Sequence, residues 1–171
     1  MVFSINKCQV KIEFSFLLIV AFSLLLNTNS IIELLIFSSL HEAAHIIALL
    51  IFGFRPDSVT LAYYGIGMKH TAKMSVNREV LFLLSGTAVN LIFALLNVCR
   101  EINLALFFIN ILPVYPLDGG RALSLFIHGK HLYIISFFTV LLLIIYSVFT
   151  INISLLLITV YLIVYSINEV V

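Results

Sequence analysis

The chain has 171 residues, of which 63% are hydrophobic and only 10% are charged. A soluble domain is about half apolar and roughly a quarter charged, so this chain has too little polar surface to coat a water-soluble globule. The net charge of +1 leaves no basic surface for nucleic acid. The composition therefore predicts a single domain, 1–171, that lies in a lipid bilayer with several spanning helices of about 20 residues each.

Six apolar stretches are predicted to form membrane-spanning helices. They cover 13–26, 31–52, 79–98, 102–117, 133–149 and 152–168. The first follows two lysines, as the core of a signal sequence would, but no small-residue cleavage site comes after it and we expect an uncleaved helix. The last two stretches have no polar feature and a short turn between them, which predicts a C-terminal helical hairpin over about 133–168.

The positions of Lys and Arg predict the orientation of these helices. With both termini in the cytoplasm, eight of the nine basic residues fall in inner segments and only Arg100 falls in an outer one. A cytoplasmic excess of Lys and Arg is the bias that normally sets topology. We therefore expect a multi-pass protein of the cytoplasmic membrane with both termini inside.

Short strands are predicted on the cytoplasmic side. Residues 57–64 are rich in β-branched and aromatic side chains, and Gly65-Ile66-Gly67 has turn chemistry. This pattern predicts a short β-hairpin, with a plain surface loop as the alternative. Apolar and polar residues also alternate over 10–16, which would suit a strand before the first helix. An edge strand beside an active site could pair with an extended substrate.

The second predicted helix carries His41-Glu42-Ala43-Ala44-His45 near its centre. Residues four apart lie on the same helix face, so both imidazoles can reach one metal ion while Glu42 stays close by as a base. This is the spacing of the zinc metalloprotease motif. Titratable side chains in the middle of a spanning helix are costly and usually functional. The alternative is a polar patch satisfied by neighbouring helices.

A third candidate ligand lies in the fourth apolar region and its flank. A catalytic zinc site needs three protein ligands and one open position, and Asp118 is the only acidic residue in 110–120. Two prolines break the helix there and two glycines allow unusual backbone angles. Irregular backbone at membrane depth is tolerated only where protein buries it or it lines a wet cavity. We expect this break to aim Asp118 at a site; a helix cap or an ion pair with Arg121 is the alternative.

Together these motifs resemble the site-2 protease family of intramembrane metalloproteases. The segment 41–45 is followed downstream by Asn110-x-x-Pro113-x-x-x-Leu117-Asp118-Gly119, and the resemblance covers about 10–130. Within the family the chain is most similar to the compact stage IV sporulation protein FB type from spore-forming bacteria. The resemblance implies an all-α integral membrane fold of about six helices. It also implies a three-helix catalytic core within about 31–128, formed by 31–52, 79–98 and 102–128.

The same resemblance implies the roles of the site residues. It implies one Zn2+ per chain, held by His41, His45 and Asp118, with Glu42 as the general base. Asn110 matches a family asparagine that steadies the substrate or the oxyanion.

Two departures from the family pattern concern helix packing. Thr87 stands where the family often has proline in Gly86-Thr87-Ala88-Val89-Asn90, and Ala44 stands where it often has glycine. Asn90 is expected to hydrogen-bond a neighbouring helix, with a role in substrate binding as the alternative.

The implied function is hydrolysis of a peptide bond in a single-span or membrane-associated protein, within or near the bilayer. The resemblance to the sporulation type implies a pro-sigma factor as substrate and membrane regulatory proteins as partners. The alternatives are a membrane metal-ion transporter and a catalytically inactive scaffold that binds substrates. Transporters also place sites at broken helices, but no inverted repeat is visible and an ion carrier has no need of Glu42 between two histidines.

The remaining polar and sulfur residues are expected to have ordinary roles. Cys8 and Cys99 are far apart and in no metal-binding spacing, so they are interpreted as small apolar residues. Glu33 is expected at the interface or in a cavity. Solvent exposure is predicted for three histidines in cytoplasmic segments: His70, His128 and His131.

Overall fold

A computed structural model describes residues 2–5, 8–25, 29–62, 65–127 and 129–168. Within these ranges the chain forms seven α-helices and four β-strands. It divides into two compact units, Met1–Phe107 and Phe108–Val171, which are described in turn.

The elements of the first unit begin with two strands, β1 (Val2–Ile5) and β2 (Cys8–Ile12), followed by helices α1 (Phe14–Leu25) and α2 (Asn29–Ile51). Strands β3 (Ser58–Ala62) and β4 (Gly65–Lys69) precede helix α3 (Val76–Leu95). Helix α4 (Arg100–Ile111) crosses into the second unit, which also contains α5 (Asp118–Ser124), α6 (Lys130–Phe149) and α7 (Ile153–Asn168).

Each of the six apolar stretches contains a helix, but α3 ends at Leu95 and α4 at Ile111, before the predicted ends at 98 and 117. Among the described residues, three helices are long and apolar enough to cross a membrane: α2, α3 and α6. Helices α1 and α4 have 12 residues each and α7 has 16, fewer than the roughly 20 that a span requires. The chain is thus a mostly helical protein with three candidate spans, and a total of six stays a prediction.

The four strands form one sheet in the order β1-β2-β3-β4. The predicted hairpin is present as the antiparallel pair β3 and β4. The expectation that Gly65, Ile66 and Gly67 form its turn was wrong, since all three belong to β4. The strand predicted before the first helix is β2, which ends at Ile12. It pairs in parallel with β3, with Gln9 opposite Ser58. The sheet is larger than one hairpin because this pairing joins segments far apart in the sequence.

In the first unit, α2 packs against α3 and also contacts β4. Apolar side chains buried on these helices include Phe37 and Leu49 of α2 and Leu83 of α3. Four polar side chains are buried on the same two helices: His41, His45, Thr87 and Asn90. Buried polar groups must be hydrogen-bonded, so each of these four side chains needs a partner within the protein.

The second unit contains the helix break that was predicted around Pro113. Helix α4 ends at Ile111, α5 begins at Asp118, and Leu117 is its N-cap residue. The expectation that Gly119 and Gly120 supply unusual backbone angles was wrong, since both lie inside α5. A Cβ atom at Gly119 would overlap the Ile111 carbonyl, and one at Gly120 would overlap Val114. The glycines are needed because two stretches of backbone pass too closely for a side chain.

The rest of the second unit is the predicted C-terminal hairpin, in which α6 packs against α7. Its buried residues include Leu132, Val140 and Leu162. The hydroxyl of Ser136 on α6 donates to the Pro113 carbonyl oxygen at 3.1 Å. This bond satisfies a backbone acceptor that the helix break leaves without a helical partner.

Candidate metal centre

His41 and His45 lie one helical turn apart on the buried face of α2, and their side chains are 5% and 4% exposed. Glu42, which lies between them in the sequence, is half-buried. The potential ligand atoms of the three side chains all lie within 4.8 Å of one another. The structure therefore brings together the three residues of the predicted motif in one group that could hold a metal ion.

The ring of His45 is held at its Nδ1 atom by α3. This nitrogen donates to the Phe82 carbonyl oxygen at 2.8 Å and lies 3.2 Å from the Ser85 hydroxyl. The Ser85 hydroxyl in turn donates to the same carbonyl at 2.6 Å. Because a carbonyl oxygen can only accept, Nδ1 of His45 carries the proton and Nε2 carries a lone pair.

The ring of His41 is held by α3 in the same way. Its Nδ1 lies 2.6 Å from Oδ1 of Asn90, a fully buried side chain. This contact confirms that Asn90 hydrogen-bonds a neighbouring helix. It also places the proton of His41 on Nδ1, so that Nε2 is again the atom with the lone pair.

The two Nε2 atoms face each other at 3.1 Å. Two lone pairs at this distance repel each other unless a cation lies between them. Zinc binds imidazole nitrogen at about 2.0–2.1 Å, so two ligands at a near-tetrahedral angle lie roughly 3.3 Å apart. Metal-binding histidines typically donate their other ring N–H to an oxygen acceptor, as both do here. The pair therefore fits a metal ion of the zinc type.

Gly86 on α3 leaves space beside these two nitrogens. A Cβ atom at this position would lie 2.5 Å from Nε2 of both His41 and His45. Glycine costs about 1 kcal/mol relative to alanine in a helix interior, so its presence here has a packing reason. The missing side chain opens the helix interface where the two ring nitrogens meet.

The other two predicted site residues belong to the second unit. Asp118 is the first residue of α5 and is 8% exposed. The N-cap residue of this helix is Leu117. Asn110 is half-buried next to the last residue of α4. Their assignments as third ligand and substrate-binding residue stay predictions.

Of the residues expected to be ordinary, His70 differs most from the prediction. Its ring packs edge-on against Phe82 with 4.8 Å between ring centroids, and it is half-buried rather than solvated. Phe82 also contacts the His45 ring, at 5.3 Å between centroids. His131 is exposed, as predicted, and His128 lies outside the described residues.

The two cysteines behave as predicted, since both are free thiols. Desolvation raises the pKa of the Cys99 thiol, and the charge of Glu33, which also bonds it, raises the pKa further. A reactive cysteine needs a lowered pKa. The pKa of Cys99 is thus shifted in the direction opposite to that of a reactive cysteine.

Sequence reasoning did not identify Ser85 or Asn103 as part of the site. Asn103 is fully buried on α4, and its Oδ1 accepts from Nδ2 of Asn90 at 3.0 Å. Asn103 could have been found from the sequence, because a side-chain amide in an apolar stretch is costly in a membrane unless it is hydrogen-bonded. The role of the Phe82 carbonyl could not be predicted from the sequence, because every residue has a backbone carbonyl group.

Comparison with solved structures gives a strong likeness of fold. No protein-family model matches the sequence, and no curated protein matches it. The chain is similar to the solved structure of a site-2 protease from Methanocaldococcus jannaschii, with a TM-score of 0.64 and 20% sequence identity. The alignment covers 99% of this chain and 94% of that chain. The chain therefore has the site-2 protease fold over almost its whole length.

Proposed function

We propose that the protein is an intramembrane zinc metalloendopeptidase that cuts a membrane-bound protein substrate. The observation that carries this proposal is the pair of Nε2 atoms of His41 and His45, 3.1 Å apart, with Glu42 in the same group. This group lies on α2, a helix long and apolar enough to cross a membrane. The likeness of fold to a site-2 protease supports the same function.

Three ligands complete the proposed site, which would hold one Zn2+ per chain. His41 and His45 supply two, and Asp118 is the candidate for the third, leaving one coordination position open as catalytic zinc sites require. The burial of the Asp118 carboxylate supports this role, because a buried acid is costly unless it is paired or binds a metal. The tight backbone at Gly119 and Gly120 would hold α5, and with it Asp118, in a fixed position.

The reaction proposed for this site is hydrolysis of an amide. Zinc, when bound by such ligands, acts as a Lewis acid that lowers the pKa of water and polarises a carbonyl group. Glu42 accepts a proton from the water molecule whose oxygen attacks the scissile carbonyl carbon. It then returns that proton to the amide nitrogen as the C–N bond breaks. Asn110 would donate to the developing oxyanion through its side-chain amide.

An apolar groove of about 580 Å³ offers a path for the substrate. Its walls come from α1, α2 and β4, and include Val20, Leu35, Ala43 and Ile66. Ala43 directly follows Glu42, so an apolar segment in this groove would lie along the helix that carries the base. Among the described strands, β4 has a neighbour on one side only. Its other edge would hold an unwound substrate segment by strand pairing.

The finer assignments belong to this proposal as well. Six spanning helices with both termini in the cytoplasm would put the sheet on the cytoplasmic side, in agreement with the distribution of Lys and Arg. The resemblance to the stage IV sporulation protein FB type would make a pro-sigma factor the substrate and a membrane protein the regulator.

Removing the metal should abolish cleavage, and zinc should restore it. The protein is purified in detergent, its zinc content is measured, and it is incubated with a panel of single-span membrane peptides before and after treatment with a chelator. We expect about one zinc per chain and cleavage only in the metal-loaded states, because the ion supplies the polarisation that Glu42 alone cannot. Cleavage that is indifferent to chelation would contradict the proposal.

The same preparation separates the two alternative functions. A metal-ion transporter would carry zinc across the liposome bilayer. This transport is measured as zinc flux into vesicles loaded with a zinc-sensitive dye. An inactive scaffold would bind zinc and the peptides without cutting any of them. Either result in place of cleavage would replace the protease by that alternative.

Replacing Asp118 with asparagine should weaken zinc binding by more than about 100-fold, since losing only a hydrogen bond that orients a metal ligand already costs about 10–100-fold. The change keeps the size of the side chain and removes its charge. The matched control is Asp57→Asn, because Asp57 is an exposed aspartate ahead of β3. Zinc affinity is measured by competition with a chelator of known affinity. Equal affinity in both variants would show that Asp118 is not a ligand.

A further inference from the structure

We propose that Asn103 is a positioning residue for the metal centre, and that it acts through Asn90 to fix which ring nitrogen of His41 carries the proton. The inference rests on the metal site of the proposed function. Asn103 lies on α4, while Asn90 lies on α3 and His41 on α2. Three helices are thereby linked in one chain of hydrogen bonds that ends at a candidate ligand.

This series of hydrogen bonds begins at the loop between α3 and α4. The Nδ2 atom of Asn103 donates to the carbonyl oxygens of Val98 at 2.9 Å and Cys99 at 3.3 Å. Carbonyl oxygens can only accept, so the side-chain amide of Asn103 has a single orientation. Cys99 has a φ of +40°, so the loop is a tight turn that holds its carbonyls in fixed directions. The other end of the Asn103 amide must therefore be its oxygen, Oδ1.

This orientation is passed on to Asn90. Oδ1 of Asn103 accepts from Nδ2 of Asn90 at 3.0 Å, which turns Oδ1 of Asn90 toward Nδ1 of His41 at 2.6 Å. Both asparagines are fully buried, so water cannot replace a lost partner and each amide must be satisfied within the protein. Backbone carbonyls in the α3–α4 loop thus decide the tautomer of His41.

The tautomer decides whether His41 can bind a metal. With Asn90 as observed, the proton sits on Nδ1 and the lone pair of Nε2 faces His45. If the Asn90 amide were flipped, its NH2 group would require an acceptor at Nδ1, and the proton would move to Nε2. A protonated Nε2 cannot ligate. Without Asn103 both orientations of Asn90 become accessible, and zinc affinity should fall.

The test replaces Asn103 with leucine in two backgrounds. In the natural background we expect zinc affinity to fall by about 10–100-fold, the usual cost of losing a hydrogen bond that orients a metal ligand. In an Asn90→Asp background we expect Asn103→Leu to cost little or nothing. Both oxygens of a carboxylate accept hydrogen bonds, so Asp at position 90 holds His41 in the same tautomer whichever way it is turned. The control is Thr159→Val, which removes a buried hydroxyl bonded to Leu156.

A second readout separates positioning from damage to the fold. The visible spectrum of the Co2+-loaded protein reports the ligand set, and at saturating Co2+ we expect the Asn103→Leu spectrum to match the unsubstituted protein. An equal loss of zinc affinity in both backgrounds, or no loss in the natural one, would overturn the inference. If Asn103→Leu does not fold, Asn103→Ala takes its place in both backgrounds. Failure of the unsubstituted protein to bind zinc would overturn the proposed function and this inference together, whereas unchanged affinity in the variant overturns only the inference.

Discussion

Replacing Glu42 with glutamine should leave zinc bound and remove cleavage. Glutamine has the size of glutamate but no basic carboxylate, so it cannot accept the proton of the attacking water. A general base contributes about 10²–10⁴-fold to a rate, and a loss of this size would take a slow intramembrane reaction below detection. His41 and His45 keep their bonds to Asn90 and Phe82, so the metal affinity should stay within a few-fold of the original value.

The measurement pairs zinc content with cleavage of the same peptide panel. The matched control is Glu33→Gln, which removes a half-buried carboxylate from the same helix but lies outside the group that could hold a metal. We expect this control to cut at close to the original rate. Persistent cleavage by Glu42→Gln would show that Glu42 is not the base and would remove the proposed mechanism. Loss of zinc from the same variant would instead make Glu42 a ligand.

The parts of the site that could be predicted from the sequence depend on neighbours within one helix. His41 and His45 are four residues apart, so helical geometry alone places them on one face. The helices in the apolar stretches were predictable because an apolar stretch of about 20 residues suits a bilayer whichever segment it packs against. For the same local reason the hairpin of β3 and β4 was predictable from its β-branched residues.

The parts that could not be predicted depend on contacts between distant segments. Asn90 was expected to bond a neighbouring helix, but the sequence does not say that its partner is His41, which lies 49 residues away. The parallel pairing of β2 with β3 is equally non-local. The role of Gly119 and Gly120 was misjudged because a glycine can serve either an unusual φ or a close approach, and only the folded backbone distinguishes the two.

The metal centre depends on the space that Gly86 leaves beside the two histidines. Replacing Gly86 with alanine should weaken zinc binding by more than about 100-fold, which exceeds the usual cost of losing a hydrogen bond that orients a metal ligand. Cleavage should be abolished as well. The added Cβ would lie 2.5 Å from Nε2 of both His41 and His45, closer than non-bonded carbon and nitrogen atoms can approach, so the rings or the helices must move. The rings cannot swing aside freely, because doing so breaks the buried bonds to Asn90 and Phe82, at about 1–3 kcal/mol for each group left unsatisfied.

Gly86→Ala is a sharp test because helix propensity alone predicts a more stable protein, whereas the contact with the two histidines predicts a damaged metal site. In a helix interior alanine is favoured over glycine by about 1 kcal/mol, so Gly86→Ala should stabilise the metal-free protein if nothing lay beside it. The control is Ala88→Val, which adds two methyl groups to an exposed position of the same helix. Zinc affinity by chelator competition and thermal unfolding of the metal-free protein are measured for both variants. Tight zinc binding by Gly86→Ala would mean that α3 does not approach the two histidines as closely as described, and the argument for a shared ion at their Nε2 atoms would lose its geometric basis.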